Sequence, residues 1–373
     1  MKIIIVGTAY PLRGAFAQLN ATLAWHLSKK HDVEIVSFKR QYPNFLFPGK
    51  TQIDPGKPLY NVPITPIIDS LNPFSWMATV RYIQAQRPDA VIFRYWLPFL
   101  GACFGFIASG VKRTTRAKIL YLCDNIVPHE HRFGDRALTR YAFRNVDRFL
   151  VHSRTVEQDL RNCVADPHYA QAPLPVGDTF GKQLSKQQAR KLLGVHEKNV
   201  ILFFGYIRRY KGLQHLLAAM PMILSKRKVK LLVVGEFYDE EEDYRKQIAD
   251  LKIAQHVLIK SDYIANEEVA KYFSACDVAV LPYVSATQSA VVPVAFYFHR
   301  PVITTNVGGL PEDVENGQTG VIVPPGRPDA LANAVLDFYK NKRERRFGAK
   351  ITKAKKRHSW GNYVATIEKL MKE

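Results

Sequence analysis

Val200-Ile201-Leu202-Phe203-Phe204-Gly205-Tyr206-Ile207-Arg208-Arg209-Tyr210-Lys211-Gly212-Leu213 is the stretch that decides the reading of this chain. Its five leading apolar residues read as a buried strand. A glycine-marked turn loaded with cations follows, and a helix opens after Gly212. Strand, glycine turn and helix in that order form the place where an α/β sheet binds phosphate. Backbone N–H groups converge at the helix N-terminus, and the macrodipole favours an anion. Lys211 and Arg208 add full charges where a diphosphate would sit. Further along, Pro301-Val302-Ile303-Thr304-Thr305-Asn306-Val307-Gly308-Gly309-Leu310-Pro311-Glu312 is a second short strand, ending in a Gly-Gly loop at the same sheet edge.

Working outward, most strands are continuous apolar runs rather than alternating ones. Ile3–Val6, Val33–Phe38, Ala90–Phe93, Ile119–Cys123 and Phe149–His152 are examples. Longer amphipathic stretches such as Gln18–Lys30 and Leu138–Val146 lie between them. This alternation predicts parallel sheets covered by helices on both faces. The pattern restarts after the Pro/Gly-rich passage Ala172-Pro173-Leu174-Pro175-Val176-Gly177-Asp178, with strands at Val200–Phe204, Lys230–Val234, Val257–Ile259, Val278–Leu281 and Val302–Thr304. Two doubly wound α/β domains follow, at 1–175 and 176–355. A closing helix over 356–373 carries Trp360, Tyr363, Ile367 and Leu370 at helical spacing.

The 373 residues are too many for one ordinary core, which agrees with two domains. A hydrophobic content of 47% and a charged content of 23% are those of a soluble globular protein. The formal net charge is +20, and it is spread along the chain. Residues 1–175 hold 22 Lys and Arg against 12 Asp and Glu; the rest holds 31 against 21. Such a field favours partners that carry phosphate: nucleic acid, an anionic membrane surface or an anionic cosubstrate. No nucleic-acid-binding module is recognisable, so nucleic acid is not expected as a partner. Cys103, Cys123, Cys163 and Cys276 are far apart and form no Cys-x-x-Cys pair, which predicts reduced thiols in a reducing compartment. The apolar start Ile3–Val6 is too short for a signal peptide. The longest apolar stretch, Tyr95–Val111, is interrupted by Pro98 and glycines and falls short of a membrane span of ~20 residues. The expectation is a cytoplasmic protein without a transmembrane helix, with access to the inner membrane face.

Some functions are disfavoured by what the glycine loops lack. Neither Ile3–Gly14 nor Ile201–Gly212 contains Gly-x-Gly-x-x-Gly, which argues against a nicotinamide or flavin enzyme. No Gly-x-x-x-x-Gly-Lys-Ser/Thr is present, which argues against a nucleoside triphosphatase.

Together, Gly205…Lys211-Gly212, Cys276-Asp277-Val278-Ala279-Val280-Leu281-Pro282-Tyr283, Pro301–Pro325 and the embedded Asn316-Gly317-Gln318-Thr319-Gly320 resemble the GT-B retaining glycosyltransferases of family 4. Each motif is weak alone; their order and spacing are specific. The resemblance covers nearly the whole chain. It implies a GT-B fold, in which two Rossmann-like domains face each other across a cleft. The donor, a nucleotide-diphosphate sugar with UDP or GDP, binds the C-terminal domain and the acceptor the N-terminal one. No metal ion or cofactor is required, and the final helix crosses back onto the first domain.

By the same resemblance, two cations on the first donor-side loop hold the diphosphate. Lys211 matches one directly. The other, commonly just after Gly205, is Tyr206 here, and Arg208 is the replacement, with Arg209 behind it. The family's Glu-x7-Glu element is missing: its positions fall on Ala286 and Val294, and no Asp or Glu occurs between Asp277 and Glu312. Thr287, Gln288 and Ser289 are candidates to contact the donor sugar and nucleotide instead. Plain capping of the following helix is the alternative reading of those residues.

In the first domain, Pro11-Leu12-Arg13-Gly14 resembles the family's glycine loop after strand one. Gly14 permits close approach to the diphosphate, and Arg13 is a candidate acceptor contact. Tyr121-Leu122-Cys123-Asp124-Asn125-Ile126-Val127-Pro128-His129-Glu130 follows a buried strand. The family commonly has His where Asp124 stands. Asp124 and His129 are the catalytic candidates, and Glu130 is an acceptor-side one, placed to orient a hydroxyl or take its proton. Arg132, Arg136, Arg140, Arg144 and Arg148 recur every four residues and form a broad basic stripe. It is either a solvated face or a dock for anionic lipid. Trp96, Phe99, Phe104 and Phe106 beside it are either an insertion patch or a buried helix. The basic run Lys340–His358 carries the same two readings.

The expected function is transfer of a hexosyl unit from a nucleotide-diphosphate sugar to a glycan or lipid-linked acceptor. The resemblance implies a front-face mechanism with retention. The absent acids leave open a non-catalytic binding or scaffold protein with a decayed donor site. A transferase acting on a small soluble acceptor is the third reading.

Overall fold

The computed structural model describes residues 1–43, 51–54, 56–128 and 132–373. It divides into two compact units, Met1–Pro173 with Trp360–Glu373, and Leu174–Ser359.

The first unit runs β1 (Lys2–Val6), α1 (Ala15–Ser28), β2 (Asp32–Arg40), β3 (Ile64–Asp69), α2 (Pro73–Gln86), β4 (Ala90–Tyr95), α3 (Gly101–Thr114), β5 (Lys118–Cys123), α4 (Asp135–Phe143), β6 (Arg148–Val151), α5 (Arg154–Cys163) and β7 (Tyr169–Gln171). The second runs α6 (Lys186–Leu192), β8 (Val200–Phe204), α7 (Leu213–Leu224), β9 (Lys230–Val234), α8 (Glu241–Asp250), β10 (Val257–Lys260), α9 (Asn266–Ala275), β11 (Val278–Leu281), α10 (Val291–Tyr297), β12 (Val302–Thr305), α11 (Leu310–Asp313), β13 (Gly320–Val323), α12 (Pro328–Lys340) and α13 (Arg343–Ala354). The last helix, α14 (Trp360–Lys372), belongs to the first unit.

Each unit holds one parallel sheet. The strand orders are β3-β2-β1-β4-β5-β6-β7 and β10-β9-β8-β11-β12-β13. The continuous apolar runs have a direct physical cause: both faces of each sheet are covered. In β1, Ile4 and Val6 enter one core and Ile3 and Ile5 the other. In β8, Val200 and Leu202 face one core and Ile201 and Phe203 the other. A strand that is buried twice has no polar positions to alternate.

Helix α14 completes the first unit. Trp360, Tyr363, Val364, Ile367, Leu370 and Met371 join the core that holds Ile3, Ile5 and Leu150. The other face is layered by α2, α3 and α4. Glycines of α3 let its neighbours come close: a Cβ on Gly105 would stand 2.5 Å from the Tyr141 ring, and one on Gly110 2.5 Å from Val80. Trp96 and Phe104 are buried, and Phe99 and Phe106 pack half-buried against the same core. These four aromatics therefore hold the helix layer to the sheet. The second unit is closed at the amino end of its sheet by Asp277, which pairs with Lys186 and Arg190 and accepts the Val200 N–H at 2.7 Å.

Candidate functional site

Each sheet reverses its order once, between β1 and β4 and between β8 and β11. Loops beyond the carboxyl ends of strands diverge at such a switch point, which leaves a crevice. In the second unit the loops at that point are 205–212 after β8 and 282–290 after β11.

They interlock. Gly212 starts α7 in the left-handed region, at φ 73°. A Cβ there would lie 1.9 Å from the Pro282 carbonyl oxygen, so the residue has no room for a side chain. The Val284 N–H donates to the Tyr210 carbonyl at 2.8 Å, and the Gly309 N–H to the Thr287 carbonyl at 3.0 Å. The Thr305 hydroxyl donates to the Tyr283 carbonyl at 2.6 Å. Loops after β8, β11 and β12 thus form one rigid rim.

Lys211 reaches into this rim. Its Nζ lies 3.3 Å from where a Gly205 Cβ would be and 5.7 Å from the centre of the Tyr283 ring. Among the described residues it forms no ion pair. Burial, aided by the like charge of Arg208, lowers its pKa to about 8. A desolvated ammonium beside a second cation leaves local positive charge uncompensated. Arg208 lies over the Tyr238 ring at 5.1 Å, and Tyr238 packs on Tyr206 at 4.6 Å. Arg209 is exposed.

Thr287 and Ser289 are buried and Gln288 is half-buried. The Ser289 hydroxyl accepts the Val291 N–H at 3.2 Å and lies 3.3 Å from the Tyr283 hydroxyl, so it serves the start of α10. Ala286 and Val294 are packed in an apolar core.

At the switch point of the first unit, Gly14 precedes α1 at φ 116°. The Arg13 N–H donates to the Gln52 carbonyl at 2.9 Å, and the Asp54 N–H to the Pro11 carbonyl at 2.8 Å. Asp124 stands at the end of β5 but is buried, 3% exposed. Arg94 Nη1 donates to both of its oxygens at 3.0 Å, and His152 Nε2 lies 3.4 Å away. Arg94 Nε donates to Asn20 Oδ1 at 2.7 Å, and Asn20 Nδ2 to the Thr8 carbonyl at 2.9 Å. His152 Nδ1 is 2.9 Å from the Ala172 carbonyl, and its ring stacks on Tyr363 of α14. Burial works against the charge on Asp124, but Arg94 and His152 win and hold its carboxyl below the ordinary range. Asp124, a catalytic candidate in the sequence, does stand at the strand end, but its carboxylate is buried and paired. It is the centre of an ion cluster that ties α1, β4 and α14 to the ends of β5 and β6.

Residues 198–341 match the family described as Glycosyl transferases group 1. That span carries all three loops of the Lys211 rim. Over their whole length the two units share their fold with sucrose-phosphate synthase from Thermosynechococcus elongatus: 20% identity, 100% of this chain and 98% of that chain, TM-score 0.77. HepE from Anabaena, in complex with UDP, matches over 100% of both chains at 17% identity, with a TM-score of 0.78. The chain has the GT-B glycosyltransferase fold.

Curated relatives match shorter stretches of this GT-B chain. A D-inositol 3-phosphate glycosyltransferase of Paenarthrobacter aurescens is 31% identical over 160 residues, which is 41% of this chain and 39% of the relative. An uncharacterized glycosyltransferase of Methanocaldococcus jannaschii is 29% identical over 144 residues, 38% of this chain and 36% of the relative. These matches span well under two thirds of either relative's length.

On the GT-B frame, Lys211, Arg208, Thr287, Gln288 and Ser289 fall on adjoining loops of one unit, and Gly14, Arg13 and Asp124 on the other. His129 and Glu130 lie outside the described residues. Among the described residues, no group of three or more His, Cys, Asp or Glu side chains is arranged to hold a metal ion. Sequence reasoning missed Arg94, Asn20, His152, Tyr363 and Tyr238. One signal was present: Arg94 is a lone cation inside the apolar run Ala90–Tyr95, and a charge there requires a buried partner.

Proposed function

We propose that this protein is a retaining glycosyltransferase that moves a hexosyl unit from a UDP- or GDP-linked sugar to a glycan or lipid-linked acceptor. The observation that carries this is the Lys211–Arg208 pair at the β8/β11 switch point, two cations with no carboxylate paired to Lys211. A donor diphosphate supplies the missing negative charge. As the bond from the sugar's anomeric carbon to the phosphate oxygen breaks, charge grows on the leaving diphosphate, and both cations gain in interaction energy. The acceptor hydroxyl forms its bond to the anomeric carbon on the same face, and its proton passes to the leaving diphosphate. No protein nucleophile and no bound metal takes part. Thr287 and Gln288 face the donor sugar and nucleotide, with Ser289 holding their loop. Gly14 and Arg13 serve the acceptor side, together with His129 and Glu130. Asp124 acts there by positioning its loop. Solved relatives bound to UDP and to UDP-glucose support the choice of a nucleotide sugar.

A second reading rests on Ala286 and Val294. Apolar residues stand where the family carries acids, which favours a binding protein with a decayed donor site. A small soluble acceptor, in keeping with the names of several relatives, is the remaining variant.

The test is a thermal-shift series with UDP, GDP, ADP and their sugars on the wild type and Lys211→Ala, followed by a radiolabelled transfer assay with the stabilising donor. A nucleotide that stabilises the wild type alone, and turns over, supports the enzyme. Binding without turnover under any acceptor mixture supports the decayed site. No shift with any nucleotide refutes both.

A further inference from the structure

We propose that Tyr283 is a positioning residue of the donor rim: its ring holds the Lys211 ammonium in place without neutralising it. The proposal rests on the reading of the rim as a donor site and adds the group that keeps its buried cation ready.

Tyr283 follows β11 and is 3% exposed. Its position is fixed from several sides. The Thr305 hydroxyl donates to its carbonyl at 2.6 Å, and its own hydroxyl lies 3.3 Å from that of Ser289. The Tyr210 ring meets its ring nearly edge-on, with centres 6.4 Å apart. The Val284 N–H, one residue on, donates to the Tyr210 carbonyl at 2.8 Å. Tyr283 thereby touches the loops after β8 and β12 as well as its own. Lys211 Nζ lies over the ring so held, 5.7 Å from its centre.

A buried ammonium costs free energy unless a negative charge or a suitable dipole faces it. Among the described residues no carboxylate pairs with Lys211, and the sequence has no Asp or Glu between Asp277 and Glu312. Arg208, the charged group acting on it, opposes its charge. What the β11 loop offers is the negative face of an aromatic ring. That ring is neutral, because burial pushes the Tyr283 hydroxyl pKa up. A carboxylate in its place would pair with Lys211 permanently and compete with an incoming diphosphate. A ring face attracts the ammonium more weakly, so an arriving anion meets nearly its full charge. Gly205 borders the ammonium with backbone only: a Cβ there would lie 3.3 Å from Nζ.

The experiment is calorimetric titration of the full chain with UDP-glucose and GDP-glucose, from about pH 6.5 to about pH 9. The diphosphate of either keeps its charge over that range. The chains compared are the wild type, Tyr283→Phe, Tyr283→Leu and one with a ring-fluorinated phenylalanine at position 283. Fluorination drains the negative face of the ring and keeps its shape and burial. Tyr283→Phe should follow the wild type. The fluorinated chain and Tyr283→Leu should bind as the wild type does at the acid end. Their alkaline decline should begin about 0.3–1 pH unit lower, which makes affinity about two- to tenfold weaker near pH 9. A role in packing alone would lower the Tm of Tyr283→Leu and leave the decline of the fluorinated chain unmoved, which overturns the proposal. A decline that moves upward in Tyr283→Leu also overturns it, since the ring would then only exclude water. The fluorinated chain decides the matter even where Tyr283→Leu fails to fold. A wild type that binds neither sugar nucleotide overturns the donor reading of the rim and this proposal with it. One that binds, with an unmoved decline, overturns this proposal alone.

Discussion

Arg94 holds both carboxylate oxygens of Asp124 at 3.0 Å inside the first unit, where both side chains are buried. Removing one partner strands the other charge. Asp124→Leu is therefore expected to cost about 3–5 kcal/mol in urea unfolding, and Arg94→Met/Asp124→Leu clearly less than the single change. A double variant as unstable as Asp124→Leu would mean that the carboxylate acts through something other than this pair.

Lys211 predicts opposite effects on stability and binding. Its folded pKa is below the unfolded value of 10.5, so folding disfavours its charge. That penalty is complete below about pH 8 and fades as pH rises from about 8 toward 10.5. Lys211→Met removes it. The unliganded variant should gain about 1 kcal/mol at pH 7, a Tm rise of roughly 2–4 °C, while losing nucleotide binding. Stability and binding that fall together would contradict a desolvated, unpaired ammonium.

The same lysine sets a pH dependence for the donor. Diphosphate binding needs the charged form and holds it charged. Nucleotide affinity should be flat below about pH 8 and then decline, by up to about tenfold per unit, as Lys211 loses its proton. Calorimetry in buffers of different ionisation enthalpy near pH 8 should detect proton uptake on binding. No uptake and a flat profile through pH 9 would exclude Lys211 as the linked group.

Arg208 rests on Tyr238, which rests in turn on Tyr206. A cation–π contact of this exposure is worth about 0.5–1 kcal/mol. Tyr238→Ala should then raise the donor KM about two- to fivefold, and Tyr238→Phe, which keeps the ring face, should stay near wild type. Equal losses in both variants would point to the hydroxyl rather than the ring.

Gly212 and Gly194 make a matched pair. Both have φ above 60°. A Cβ on Gly194 meets nothing within 4 Å, whereas one on Gly212 meets the Pro282 oxygen at 1.9 Å. Gly194→Ala should cost only the backbone term of about 1–2 kcal/mol. Gly212→Ala should cost about 2 kcal/mol or more beyond that and reduce nucleotide binding, because the rim must open. Chemical unfolding of the two variants side by side measures the difference.

Much of the architecture was legible because local rules and the final fold agree. Ile3–Val6 and Val200–Phe204 read as buried strands, and they are, since a strand covered on both faces needs apolar residues throughout. The cationic turn at Arg208–Lys211 was readable for the same reason, being contiguous in sequence. The burial of Asp124 at its strand end was not legible. Its neighbours in sequence are the end of β5 and the bend that follows, while its partners Arg94, His152 and Tyr363 come from β4, the end of β6 and the last helix.

By itself, the sequence of apolar runs, glycine turns and clustered charge determined the two α/β units and the loop that carries Lys211 and Arg208. These depend on periods and contacts within a few residues, which local sterics and hydrophobic burial dictate. Only the tertiary structure decided that Asp124 sits in a buried ion cluster and that Tyr238 supports Arg208. Each of these joins residues far apart in the chain. Chain folding sets their proximity, and no local pattern records it.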